Sequence, residues 1–520
     1  MAGQAKARYQ SLEADRRPYL DRGRQCAKLT IPSLLPDEGA NGSTQFSTPE
    51  QSLGARGLNV VAAKLLMALF PPNAPYLKME VDDLTAAEMT GQQGVKDEID
   101  KAFAQFVRRI MTDFEGRALR SDLYEVFRLL VATGNATLYI PDDGRCRVYR
   151  LDKYVAKRDP AGNLLEWIAR EMIAKAVLPD EVRNQIPETN AAGPVMDGGT
   201  QTTPSAENVE LYTHVLLNED GQYTVYQEVE GIIIPGSEGA YLKEELPFLV
   251  LRFNKVDGED YGRSHIEEYL GDLAHLEALS KAIREFVAIS ARVIPMVNPN
   301  GLTSAKDLTE AKNGEPIVGN PEDVAFLQIE RYNDFRVAKE MIDELSNRLA
   351  FAFLMNTAIQ RPGERVTAEE IRYMARELED TLGGTYSVQA VDLQLPLARV
   401  QIKSLERRGA LPELPNEVAT PKVVTGMDAL GRGNDLTNLQ QFRALIENTP
   451  AMERLNWGNY ATRCANGLNV ETEGLLISEE EFAAQQQQQM MQQMAMQLGP
   501  NAVNQLGGIA QKSMETPTDG

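Results

Sequence analysis

The side chains most able to do chemistry are few: three histidines, His214, His265 and His275, and three cysteines, Cys26, Cys146 and Cys464. Metal ligation needs several such groups converging at short spacing, as in HExxH or paired CxxC. None of the six stands in such a pattern, so no zinc site is indicated, and no disulfide framework follows from the cysteine spacing. A nucleotide-driven motor would carry GxxxxGK[ST], whose amides and lysine cradle phosphates, and that string is absent. Gly431-Arg432-Gly433 lacks the third glycine of GxGxxG and follows no apolar strand, so it reads as a turn. There is no GxSxG elbow, and the many carboxylates cannot be paired into acid and base while their separations are unknown. No catalytic residue, metal or cofactor is expected. An enzyme built on carboxylates distant in sequence stays as an unmotivated alternative.

Charge narrows the field further. With 53 basic and 75 acidic residues the formal charge is −22. Proteins that grip nucleic acid by neutralising many phosphates present a broad basic surface. Any contact of this chain with DNA therefore has to be local or weak; the plain alternative is that the charge serves solubility. Aromatic residues make up 7%, with Trp167 and Trp457 the only tryptophans, too few for single-strand stacking platforms. The three scattered cysteines suit a reducing compartment, and at the N-terminus Lys6, Arg8, Asp15, Arg16 and Arg17 precede any apolar run, unlike a signal peptide, so export is not expected. The most apolar early stretch, residues 58–70, is interrupted by Lys64 and shorter than the roughly 18 residues that cross a bilayer. It reads as a packed helix, with no membrane partner.

The positioning elements follow from periodicity. A chain of 520 residues supports two to four structural units. Residues 1–135 read as mainly helical, with apolar stripes over 58–70, ending at Pro71-Pro72, over 95–111 and over 123–131. From Ala136 short β-like runs take over (138–140, 148–151, 164–173, 211–217, 223–229 and 248–253), read as one small sheet with a hairpin at Asn218-Glu219-Asp220-Gly221. Residues 187–208 read as a mobile inserted loop. A long helix over 264–293 carries Ile266, Leu270, Leu273, Leu276, Leu279, Ile283 and Phe286 on one side. Glu277, Lys281 and Glu285 stand four apart on another, with Arg284 and Arg292 nearby. That face is either solvated or a wall turned toward DNA. A β-prone excursion over 296–333 leads to a returning helix through Met355. Residues 356–366 are broken by Pro and Gly, Thr367 with Glu370 forms a capping box, helices follow over 393–407 and 436–447, and the Gln/Met run 485–497 reads as a frayed helix or disordered tail.

Several strings occur in one order: Ser52-Leu53-Gly54-Ala55-Arg56-Gly57-Leu58-Asn59 with Lys64-Leu65 and Ala68-Leu69-Phe70-Pro71; Tyr261-Gly262-Arg263-Ser264 with Ile266-Glu267-Glu268-Tyr269-Leu270-Gly271-Asp272-Leu273; and Gly363-Glu364-Arg365-Val366-Thr367-Ala368-Glu369-Glu370-Ile371-Arg372. Over about residues 10–480 the chain resembles the portal, or head-to-tail connector, proteins of short-tailed, podovirus-type bacteriophages. The resemblance implies an α+β, mainly helical portal fold assembled as a ring of about twelve subunits. In its terms residues 1–260 are the wing, 261–293 the first stem helix, 294–333 the clip and 334–355 the second stem helix. Residues 356–392 are the tunnel loop and a wing helix, 393–480 the crown, and 481–520 a Gln/Met-rich tail. The implied function is a non-enzymatic channel for double-stranded DNA during packaging and ejection, in a virion assembled in the host bacterial cytoplasm. Implied partners are further copies of the chain, the terminase large subunit, the major capsid and scaffolding proteins, a tail adaptor or tail tube protein, internal core proteins, and DNA held without sequence preference. Channel candidates are Arg361, Arg365, Lys281, Arg284 and Arg292; for Arg361 and Arg365 the alternative is two exposed loop arginines. Clip candidates for terminase docking are Lys306, Lys312 and Arg331. A tail adaptor or other virion structural protein is the rival reading, and it would not need a tip held between paired helices.

For the ring of twelve that the resemblance implies, helix geometry leaves room for a bore. Twelve helices side by side at about 10 Å spacing put their axes at a radius of roughly 19 Å and leave a hole near 28 Å, wider than duplex DNA. DNA carries about one charge per 1.7 Å, so a cationic sleeve would trap it and an acidic one would let it slide.

Overall fold

The computed structural model describes residues 4–72, 75–81, 93–186, 208–290, 294–327, 332–355, 377–378, 381, 388–412, 419–423 and 431–447, with scattered positions from 449 to 464. Four helices open the chain: α1 (Gln4–Lys28), α2 (Leu53–Leu69), α3 (Gln93–Gly116) and α4 (Leu119–Thr133). The three helical stripes expected over 1–135 correspond to α2, α3 and α4. The sequence reading did not single out α1, because its buried face (Ala5, Tyr9, Leu12, Arg16, Leu20, Gly23 and Cys26) mixes small and polar residues with apolar ones. Arg16 is buried there because its guanidinium donates to Tyr9 Oη (2.8 Å) and to the carbonyls of Asp152 (3.1 Å) and Tyr154 (3.0 Å). A buried cation is tolerated when it is hydrogen-bonded and paired, and Glu13 supplies the paired charge (2.8 Å).

The β region is two sheets rather than one. Strands β2 (Asn135–Tyr139), β3 (Arg147–Tyr149) and β10 (Phe248–Arg252) form an antiparallel sheet in the order β10-β2-β3. Strands β4 (Tyr154–Arg158), β5 (Leu164–Ala174), β6 (Asn208–Leu217), β7 (Gln222–Val229), β8 (Ile232–Ile233) and β9 (Gly239–Leu242) form the larger sheet, with β9 on β7. The 248–253 run was expected to extend the hairpin sheet; instead Phe248 stands opposite Tyr139 and Arg252 opposite Asn135. An alternating run specifies a strand but not its neighbour. Trp167 is fully buried between the sheets, its indole N–H donating to Thr137 Oγ1 (3.1 Å) and its ring near Phe248, Tyr149 and Tyr154.

A paired rod rises from this base. A helical turn, His265–Glu268, is capped by Ser264, whose hydroxyl accepts from Glu267 N–H (2.9 Å), and α5 (Leu270–Ser290) follows. The expected single helix over 264–293 is thus stepped at Tyr269. Helix α6 (Tyr332–Ala352) returns antiparallel: Phe286 meets Phe335 at 5.9 Å between ring centroids, and Arg348 reaches Asp272 (3.0 Å). The rod is rooted by the Tyr261-Gly262-Arg263-Ser264 string. Asn135 donates to Gly262 O (2.8 Å) and accepts from Gly262 N–H (2.8 Å), while Tyr261 Oη accepts from Ala156 N–H (2.9 Å). Gly134 ends α4 at φ 76, and a Cβ there would press on the backbone of 262–263, so only glycine serves.

Residues 393–423, expected to open a separate C-terminal part, belong to the main body. Helix α7 (Leu395–Arg407) buries Leu397, Ala398, Val400 and Leu405 in the same core as Leu58, Val61, Leu65, Phe114, Phe127, Leu273 and Leu349. Strand β13 (Ala419–Val423) pairs antiparallel with β1 (Leu77–Val81). The first compact unit runs Met1–Gly426, and a second, Met427–Gly520, contains α8 (Gly431–Ile446). The boundary moves because α7 has an apolar stripe that only the N-terminal helices can cover. The Gln/Met run and nearly all of the 187–208 loop lie outside the described residues.

Candidate functional site

The tip between the rods is built by polar contacts, since it is too small for an apolar core. Strands β11 (Ile294–Val297) and β12 (Val324–Leu327) pair antiparallel, as the β-prone excursion predicts. Between them the Asp323 carboxylate accepts from Leu302 N–H (2.8 Å) and Thr303 N–H (3.2 Å). Asn320 N–H donates to Thr303 Oγ1 (2.8 Å), whose own proton reaches Asn320 O (3.1 Å). Lys306 lies exposed on the short helix Ala305–Glu310, and Lys312 is exposed just past its end. Arg331 lies outside the described residues. Around these cations stand exposed apolar side chains, Leu302 at 86% and Val318 at 88% of full exposure, with Met296 also exposed. The same holds along the rod, where Val287, Ile289, Val337, Met341 and Phe351, the last at 73%, are unburied.

The charged face of α5 is partly spoken for within the chain. The Glu277 carboxylate accepts from the N–H groups of Glu50 (3.0 Å) and Gln51 (3.1 Å), and Arg284 pairs with Glu50 (3.0 Å). Gln51 in turn reaches Leu29 O (2.7 Å) and accepts from Gly54 N–H (2.8 Å), stapling the segment before α2 onto the rod. The sequence leaves this face either solvated or a wall facing DNA; within the chain, Glu277 and Arg284 take part in this staple. Lys281 and Glu285 stay exposed and make no ion pair among the described residues. Arg292, Arg361 and Arg365 lie outside the described residues.

At the foot of the rods is a hub that the sequence reading missed. Lys64, seen only as an interruption of an apolar run, is buried and donates to Leu354 O (2.8 Å) and Glu377 (2.7 Å). His265 is buried too, with Nε2 3.2 Å from Ala352 O, and burial pushes its pKa below the ordinary histidine value. Phe353 packs flat on Gly57, where a Cβ would collide with the ring. A lysine amid apolar helix residues was the available signal. Among the described residues no three His, Cys, Asp or Glu side chains gather as a metal site, and no helix is long and apolar enough to cross a membrane.

The described residues thus form an antiparallel rod pair rooted in a mixed helix and sheet body, with a two-stranded tip between the rods. The sequence model for bacteriophage head to tail connecting proteins covers residues 2–476, and the chain belongs to that family. Its relatives include the portal protein of Escherichia phage T7, 41% identical over 99% of this chain and 95% of that one. The portal protein of Enterobacteria phage T3 is 42% identical over 92% and 88%, and that of Enterobacteria phage SP6 is 31% identical over 98% and 96%. Among solved structures, the neck of an empty gene transfer agent particle aligns over 76% of this chain and 90% of that chain, at 12% identity and a TM-score of 0.37.

Proposed function

We propose that this chain is the portal subunit of a short-tailed phage, a virion component at the head-to-tail junction that forms the channel for double-stranded DNA. Membership of the connector family and the near-full-length match to phage portal proteins support this reading. The single observation in the fold that carries it is the antiparallel pair α5 and α6, with apolar side chains left uncovered along both helices and at the tip. Apolar side chains such as Phe351, Met341 and Val337 left exposed on one helix mark a surface suited to being covered by another. Neighbouring copies in a closed ring supply that surface to every subunit alike. The main body then serves as the wing, α5 and α6 as the stem and residues 294–333 as the clip. The crown begins after Gly426, later than position 393.

In this reading the exposed Lys281, together with Arg292, Arg361 and Arg365, steadies passing DNA. Arg284 is tied to Glu50 and contributes structure. The clip, with Lys306, Lys312 and Arg331, docks the terminase large subunit during packaging and a tail protein afterwards. The chain acts without catalysis of its own, leaving the work of translocation to the motor. Light scattering on the purified protein tests the assembly. Twelve chains of 57.6 kDa give about 0.7 MDa, and electron images should show an annulus with an open axis. A monomer at every concentration, or a solid particle, overturns the proposal.

A further inference from the structure

Away from the rods, the ends of α3 and α7, the start of α4 and the 141–145 loop enclose a cavity of about 550 Å³. Four guanidinium groups line it, those of Arg109, Arg117, Arg145 and Arg408, against one carboxylate, Asp113. In a chain of net charge −22 this is a concentrated spot of the opposite sign.

Two of the arginines build the walls. Arg117 Nε pairs with Asp113 (3.1 Å) and its terminal nitrogens donate to Pro141 O (2.7 Å) and Asp142 O, which fixes the loop on the helix end. Arg408 takes the other Asp113 oxygen (2.8 Å). Each oxygen of the carboxylate thus faces one wall arginine. The other two arginines are left over. Arg109 and Arg145 are exposed and make no ion pair among the described residues, apart from a through-space pull of Arg145 on Asp122. On the floor, Ala118 lines the cavity in the left-handed conformation (φ 56), and α4 starts there with no side-chain cap.

We propose that this cavity binds a phosphoryl oxyanion of two or more negative charges. Gathering several cations in one concave site is unfavourable until an anion joins them. A single carboxylate would leave the surplus charge unbalanced, whereas a phosphoryl group presents several oxygens to several planar forks at once. The volume lies within the few hundred to one thousand Å³ typical of small-ligand sites. The ligand is either free, as phosphate or pyrophosphate, or carried on a nucleic-acid backbone.

The test uses the purified full-length assembly at constant ionic strength, titrated with inorganic phosphate, pyrophosphate or a short DNA duplex and followed by calorimetry and thermal shift. Pyrophosphate is expected to bind more tightly than phosphate, and Arg109→Gln/Arg145→Gln to weaken it about tenfold or more. Both side chains are exposed, so this variant should melt like the parent without ligand; Arg145→Lys, which keeps the charge but loses the fork, should fall in between. A duplex that competes with pyrophosphate, and needs the same arginines, assigns the site to nucleic acid; binding of pyrophosphate alone assigns it to a free anion. Equal binding by parent and double variant, or a thermal shift reproduced by sodium chloride at matched ionic strength, overturns the proposal.

Discussion

Lys64 holds together three parts of the chain that are far apart in sequence: helix α2, the turn at Leu354 and the helical residue Glu377. Removing the ammonium takes one hydrogen bond from a carbonyl and one from a largely buried carboxylate. Lys64→Ala is expected to cost about 2–4 kcal/mol, read as a lowered melting temperature, with Lys64→Met recovering the packing part only. Nearby, Gly57→Ala puts a methyl group where the Phe353 ring lies. Its expected cost is about 1–3 kcal/mol, and Phe353→Leu in the same chain should relieve part of it. Additive losses in that double variant would contradict a direct steric clash. Neither effect is visible in a one-dimensional reading, since Gly57 there is only one letter of a helical run.

At the scale of elements, α1 is held on the larger sheet by a buried polar cluster. Glu166 accepts from Arg8 Nε (2.8 Å), lies 2.9 Å from His214 Nε2, and His214 Nδ1 lies 2.7 Å from Tyr226 Oη. Burial would raise the Glu166 pKa, but the hydrogen bonds of His214 and Arg8 and their charges outweigh it and hold it below the ordinary glutamate value. A carboxyl that is more acidic folded than unfolded adds stability above its unfolded pKa, and that stability is lost as pH falls through the folded value. Acidification through the carboxylate range should therefore loosen α1 from β5 and β6, read by proteolysis within residues 4–28. Glu166→Gln should weaken the attachment at neutral pH and flatten its pH dependence; an unchanged profile would remove Glu166 from the account. The stapled segment before α2 makes a second case. Glu277→Gln weakens two hydrogen bonds to backbone N–H groups and should cost about 1 kcal/mol, so effects of this substitution report on the staple before they report on any bore.

For the assembled molecule, apolar exposure and charge make separate predictions. Met341→Asp or Phe351→Asp alters an uncovered side chain and should leave the subunit folded while reducing the ring mass seen by light scattering. Retention of the full ring in both variants would place the subunit contacts elsewhere. Glu285 is exposed and outside the staple, so Glu285→Lys is the cleaner test of an acidic bore: packaging should slow, and more so at low salt, because exposed charges are screened over about 10 Å at 0.1 M. Packaging kinetics that ignore both the substitution and the salt would end the low-friction argument.

Periodic burial made the helices readable in sequence. The stripes of α2 to α7 each report one buried face, which a helical backbone projects at a fixed interval; β5 to β7 were legible instead as β-prone runs bounded by turn signals, since consecutive residues along them are buried on both faces. The paired rods, the hairpin tip and the family strings were legible for the same local reason. Partner choice was not. That β10 joins β2, that α7 closes the N-terminal core, that Glu277 and Arg284 serve residues 50 and 51, and that Lys64 and four arginines converge as they do are contacts between distant positions. Such contacts are selected by mutual shape and charge in the folded chain, which no spacing along the sequence encodes.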